Sequence, residues 1–301
     1  MKQVVRRLLP LLDVALLPFV FPAAYLLKCV RGQIRSMPLA KQALLRVGVF
    51  PIRDHYYEPL FNPAHLREDL ATPRALPGIN WNNEQQLAFL SELAPYAAEL
   101  ADLAGIPGGT HGFDLRNENF ASGDAEYWYC LLRKIKPQRI MEVGSGYSTL
   151  LARRAIERNN AEDPNYRCLH TCIEPYEMPW LEASGATVIR KRLEDMDVNS
   201  FRVLGQNDIL FIDSSHVIRP QGDVVVEIVQ ILPLLQPGVI VHFHDVFSPR
   251  DYLHDWVVKD VRLWNEQYLL EAFLSQNNCW TVLGALTEVR HEVDNFAFFE
   301  A

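Results

Sequence analysis

Three short stretches concentrate residues that can do chemistry. The first, Met141 to Thr149 (MEVGSGYST), is an apolar run that opens into Gly144-Ser145-Gly146. Glycines at such a point let the backbone approach a ligand closely, and a helix starting just beyond offers unpaired N–H groups. The second is Glu174, which follows the apolar run Arg167 to Ile173 and whose two carboxylate oxygens can accept from both hydroxyls of a ribose. The third is a pair of runs, FIDSSH (Phe211 to His216) and VHFHD (Val241 to Asp245). Both set ionisable groups at the ends of very apolar segments, where an unpaired charge is costly. Neighbouring parallel strands would bring Asp213 and Asp245 to one rim, and gathered carboxylates suit a hard divalent ion such as Mg²⁺. The plainer readings are structural: Asp213 bonding backbone amides, Glu174 a loop residue before Pro175, His242 a satisfied sheet histidine.

These residues need a scaffold that brings strand ends together. From Arg139 onward, short apolar runs alternate with helical patterns. Arg139 to Val143, Arg167 to Ile173, Thr187 to Ile189, Ile209 to Ile212 and Val239 to Phe243 read as strands. Helices are expected at Asp124 to Lys134 (capped near Ser122 or Asp124), Thr149 to Arg158, Val224 to Leu235 and Trp264 to Leu274. Trp280 to Leu286 and Asn295 to Phe299 read as two closing strands. The expected fold is α/β: a Rossmann-like, doubly wound, mostly parallel seven-stranded sheet with helices on both faces. A helical and irregular extension precedes it, with a helix over Asn83 to Leu103, a glycine-rich turn at Gly105 to Gly112 and an irregular connector from Pro51 to Gly78. Three regions follow: a hydrophobic arm at 1–35, the extension at 36–115 and the catalytic domain at 116–301.

The glycine turn departs from a dinucleotide fingerprint, because Thr149 stands where a third glycine is needed. The pattern of Glu142, Gly144 and Gly146 resembles instead the first motif of class I S-adenosylmethionine-dependent methyltransferases. FIDSSH, GDVVVEIVQILPLLQPGV and HFHDVFSP narrow the resemblance to metal-dependent sugar and macrolide-sugar O-methyltransferases, over roughly Asn117 to the carboxyl end. The resemblance implies cofactor contacts from Glu142, Gly144, Ser145, Gly146, Ser148, Glu174 and Asp213, with Glu174 on the adenosine ribose. It implies a divalent ion, Mg²⁺ or Mn²⁺, on Asp213, His244 and Asp245, and His216 as the general base. The family has Glu-Asp where this chain has His244-Asp245; the exchange removes a negative charge and favours ions that tolerate imidazole. Asn119, Asp124 and Trp128, and the stretch Phe247 to Trp256, are expected near the cofactor entrance. The implied activity is methyl transfer to a hydroxyl of a sugar, glycan or glycolipid precursor. Two alternatives stand beside it: the same fold with other chemistry or no metal, such as N-methylation or hydroxylation, and a catalytically silent membrane-associated scaffold.

Composition sets outer bounds. With 301 residues, 49% hydrophobic and 22% charged, the chain can bury a full core. A net charge of −8, from 29 basic and 37 acidic residues, argues against nucleic acid as a partner. Five cysteines without a C-x-x-C pair read as free thiols of a reducing, cytoplasmic compartment. Leu8 to Leu27 is apolar except for Asp13, with Lys2, Arg6 and Arg7 before it and Lys28, Arg31 and Arg35 after it. Pro10, Pro18 and Pro22 are expected to break a helix there, and no A-x-A-like cleavage site follows cleanly. Three readings stay open: an arm folded onto its own domain or onto a second subunit of a homo-oligomer, peripheral membrane contact through residues 8–30, and a membrane span.

Overall fold

The computed structural model describes residues 2–100, 113–115, 117, 119–121 and 123–289. The chain forms two compact units, one of residues 1–67 with 257–263 and the other of 68–256 with 264–301.

The second unit carries the sheet. Its strands are β1 (Arg139–Val143), β2 (Leu169–Ile173), β3 (Thr187–Ile189), β4 (Ile209–Ile212) and β5 (Ile240–Phe243). All pair in parallel, in the order β3-β2-β1-β4-β5. The order reverses between β1 and β4, and the crevice beyond the carboxyl ends there is where open α/β sheets take ligands. β4 is buried at every position, as a strand covered on both faces must be.

One face is covered by α4 (Asp124–Ile135) and α5 (Tyr147–Glu162), whose Trp128, Leu132, Leu151 and Ile156 pack on Ile140 and Phe211. Phe201, Leu204, Val226 and Ile231 cover the other face. α4 begins where the sequence invites it: the Glu126 carboxylate accepts from the Gly123 amide at 2.5 Å, and Arg133 and Lys134 sit in the last turn. α3 (Asn83–Ala97) precedes α4, and α6 (Glu266–Leu274) and α7 (Leu286–Val289) follow the sheet. Residues 223–234 form a helical segment that passes from α through π to 3₁₀ geometry, ending with Pro233 in its last turn.

Several expectations change. The sheet has five strands among the described residues, where seven were expected. Trp280 to Leu286 does not join β5, because its backbone is bonded elsewhere: Ala285 N–H donates to Gln86 Oε1 at 2.5 Å, and Val282 C=O accepts from Asn82 Nδ2 at 3.4 Å. Gly284 also lies so close to the Tyr127 ring that an added Cβ would stand 2.2 Å from the phenol oxygen. Asn295 to Phe299, Gly105 to Gly112 and Ser122 lie outside the described residues. The helix expected to reach Leu103 ends at Ala97, shortly after Pro95.

The first unit contains α1 (Lys2–Gly32) and α2 (Pro38–Val47), followed by an irregular stretch with one 3₁₀ turn at Pro63–His65. Pro10, Pro18 and Pro22 all lie inside α1 without ending it, against the sequence expectation. α2 has proline in its first turn and Gly48 in the left-handed region at its end, the usual arrangement of both residues.

Candidate functional site

The turn after β1 is laced to both neighbouring strands. Gly144 N–H donates to Ile173 C=O at 3.0 Å, and Asp213 N–H donates to Val143 C=O at 2.8 Å. Gly144 has φ +76°, and a Cβ there would stand 1.8 Å from the Asp213 carbonyl oxygen. That position therefore admits only glycine. Gly146 is different: an added Cβ would meet the Met178 side chain at an ordinary 3.5 Å.

Glu142 lies wholly buried beneath the turn, where its carboxylate accepts from the Thr149 hydroxyl and faces His170 Nε2 at 3.0 Å. Thr149 Oγ1 in turn accepts from Gly146 N–H at 3.2 Å. This relay explains why threonine stands where a dinucleotide fold has glycine. Glu142 shapes the turn from below and presents nothing to a ligand in this arrangement. Ser145 is half-buried in the turn; Ser148 is buried, and its carbonyl accepts from Trp128 Nε1 at 3.2 Å. Trp128 is fully buried core, and Asn119 is exposed. Glu174 follows β2 directly; its Oε1 accepts from the Tyr176 and Glu177 amides, both at 2.9 Å, and no described residue bonds Oε2.

A second constellation gathers at the ends of β4 and β5. β5 stops at Phe243, and Asp245 turns into the left-handed region at φ +56°, so His244 and Asp245 both face the rim. His216 has φ +58° and is fixed by its carbonyl, which accepts from the Asn265 and Glu266 amides at 2.9 and 3.2 Å. Two such non-glycine residues in one site represent stored strain, which surrounding bonds must hold. His216 Nε2 stands 3.3 Å from Asp213 Oδ1 and 3.8 Å from Asp245 Oδ2. His244 Nδ1 faces the same two oxygens at 3.4 and 3.5 Å, and its Nε2 faces Asp124 Oδ2 at 3.4 Å. Behind His216, Nδ1 pairs with Glu266 Oε2 at 2.8 Å, and the Trp264 ring lies 4.2 Å from the imidazole.

These contacts set the charges. Burial alone would lower the His216 pKa, but Asp213 and Glu266 overcome it and raise it to about 10. His244 is likewise raised to about 11 by Asp124 and Asp213 against burial. The two imidazoles hold Asp213 well below the ordinary carboxylate range, although its burial opposes this. Burial and the charge of Asp213 raise Asp245. Glu227, deeper still, is pushed well above its ordinary value by burial and by Glu266 and Asp223. His242 is lowered to about 4 by burial and by His244, and it stacks on Phe211 at 4.9 Å. It is a neutral packing residue.

One ligand atom each from Asp213, His216 and Asp245 lie within 4.8 Å of one another, and His244 borders the same oxygens. This mixed oxygen and nitrogen set fits a divalent ion, with Glu266 orienting the imidazole behind it as carboxylates do behind ligating histidines. A second group, Glu142, His170 and Cys172, is equally close but entirely buried, and hydrogen bonds already engage it. A cavity of about 930 Å³ opens beside the cluster, lined by Asp124, His242 and Asp245 and by apolar residues such as Leu270, Phe273 and Trp280. Sequence reasoning missed Glu266 and Trp264, which lie some fifty residues past His216 with no motif to mark them. Asp124 was placed at the entrance; it reaches the cluster itself.

Residues 141–246, from β1 to just past β5, match the family model of a methyltransferase domain, which supports a methyltransferase family for this region. An uncharacterised protein of Archaeoglobus fulgidus is 28% identical over 176 residues, covering 54% of this chain and 76% of the relative. No solved structure matches.

Proposed function

We propose that the chain is an S-adenosylmethionine-dependent O-methyltransferase, metal-assisted, acting on a hydroxyl of a sugar, glycan or glycolipid precursor. The observation that carries the reading is the juxtaposition, across Gly144 and Asp213, of the glycine turn with the cluster of Asp213, His216, His244 and Asp245. The glycine turn lets the cofactor approach the backbone closely, the amides of the first turn of α5 bind it, and the free Oε2 of Glu174 takes a ribose hydroxyl. Glu142 serves this site indirectly, by fixing the turn. Asp213, His244 and Asp245 hold the ion. When bound, the cofactor supplies an electrophilic methyl group and the ion supplies Lewis acidity toward the acceptor hydroxyl.

His216 accepts the hydroxyl proton at Nε2, with Glu266 fixing the ring through Nδ1. In the ion-free arrangement its raised pKa keeps it protonated. Of the two carboxylates that raise it, Asp213 would also hold the ion, so a cation there draws the imidazole pKa back toward neutrality. Acceptors enter from the cavity side, past Asp124 and Asp245.

The closeness of His216 to both aspartates favours a second reading, in which His216 is itself an ion ligand. The two separate in His216→Ala: loss of turnover by about 10²–10⁴-fold with ion affinity retained assigns the base, and loss of ion binding assigns a ligand. Calorimetric titration with S-adenosylmethionine, with and without Mg²⁺ or Mn²⁺, tests the core of the proposal. Absence of cofactor binding under both conditions refutes it, and full turnover in EDTA removes the ion. Labelled cofactor with a panel of sugars and glycolipids then identifies the acceptor.

A further inference from the structure

We propose that the first unit is a membrane anchor: α1 inserts into the hydrocarbon of a lipid bilayer, and α2 lies in the headgroup layer beside it. Leu9–Gly32 is the one helix among the described residues that is long and apolar enough to cross a membrane. At 24 residues it would extend about 36 Å, against about 30 Å of bilayer hydrocarbon. Every side chain from Leu9 to Leu26 is exposed, on all sides of the helix. Phe19, Phe21 and Leu11 are 72%, 79% and 68% exposed, so no core among the described residues accounts for them.

The second observation is independent. α2 exposes Leu39, Leu45 and Val47 together with Lys41 and Arg46, the mixture of an interfacial helix. Tyr56 and Tyr57, further along the same unit, are 92% and 85% exposed, and tyrosine favours the headgroup level. Lys28 and Arg35 stand at the α1 exit, and Arg31 and Arg53 share the Glu58 carboxylate at 3.0 and 2.7 Å. The basic residues fit anionic headgroups. Prolines inside α1, costly in water, are common in membrane helices, whose surroundings re-satisfy the freed carbonyls.

The test uses the full chain with Cys29 and Cys279, the exposed thiols, changed to serine. A polarity-sensitive fluorophore is attached at Phe19→Cys or at Lys41→Cys, and the protein is reconstituted into phosphatidylcholine vesicles containing phosphatidylglycerol. Position 19 is expected to shift strongly to the blue and to be quenched by lipids brominated deep in the acyl chains. Position 41 is expected to respond only to shallow quenchers. High salt should leave the protein on vesicles in flotation. Release by salt, a label at 19 that stays in water, or the same blue shift without lipid would each overturn insertion; the last would place α1 against protein. Recovery of a mature chain lacking α1 from its native host would also overturn it, identifying a leader. Leu16→Arg with Phe19→Arg should abolish flotation while leaving thermal melting of the sheet-bearing unit unchanged. None of these readouts depends on methyl transfer, so the anchor and the enzymatic reading fail separately.

Discussion

At the scale of residues, the two glycines of the turn make different predictions. Gly144→Ala sets a methyl group against the Asp213 carbonyl at φ +76°, so it should destabilise the fold itself and lower the melting temperature. Gly146 has room for a Cβ toward Met178. Gly146→Ala should therefore leave melting nearly unchanged while weakening S-adenosylmethionine binding in calorimetry; unchanged affinity would deny that the turn is the cofactor site. Glu266→Gln keeps the shape of the pair with His216 and removes its charge. Outer carboxylates of this kind typically contribute 10–100-fold, and a loss of turnover of about that size is expected. The paired histidines also give a pH signature. His216 and His244 have folded pKa values of about 10 and 11 against an ordinary value of 6.5. Their pairing stabilises the ion-free protein fully below about pH 6.5 and is lost as pH rises through 10 and 11. Denaturant midpoints should thus fall between pH 7 and pH 11, and Mg²⁺ or Mn²⁺ binding near neutral pH should release protons to buffer. A midpoint that rises over this range would contradict the pairing.

Among the elements, the sheet was the legible part. β1 and β4 are buried in a parallel sheet and β5 is half-buried at its edge, so their apolar runs are nearly continuous and their ionisable residues cluster at the ends. That is why Gly144, Asp213 and Asp245 could be placed on one rim from the sequence. Where backbone groups find side-chain partners, pattern fails. Val282 and Ala285 carry β-like surroundings yet bond to Asn82 and Gln86 of α3, which no local periodicity reveals. Glu266 was illegible for a related reason: it reaches His216 through the fold, and its neighbours in sequence form no motif. Pro10, Pro18 and Pro22 misled in the other direction, since α1 runs through all three. The relay from Glu142 through Thr149 to Gly146 joins β1, the glycine turn and the start of α5. Thr149→Val removes it and leaves a buried carboxylate short of one donor, a change expected to cost about 1–3 kcal/mol in chemical denaturation.

For the whole molecule, the division into two units means that composition averages conceal two different materials. The charge of −8 and the near-average apolar content are averages over a sheet-bearing unit of 17 basic and 33 acidic residues and a first unit of 12 basic and 4 acidic ones. They say nothing of a first unit whose apolar residues are displayed and whose α1 and α2 are bordered by basic residues. Residues 1 to about 110 carry no motif with statable chemistry, and α1 within them, apolar on all sides, has no periodic signal beyond its length.

The close approach of Gly144 to Asp213 has a thermodynamic consequence. One residue belongs to the turn proposed for the cofactor and the other to the cluster proposed for the ion, and their backbones leave no slack between them. A ligand that shifts or stiffens either segment must alter the other, so the two occupancies are linked. Linkage is reciprocal: whatever factor the ion adds to S-adenosylmethionine affinity, the cofactor adds to ion affinity. Titrations run in both orders should close a thermodynamic square with one coupling constant different from unity. Equal affinities in the presence and absence of the other ligand would show that the contact transmits nothing.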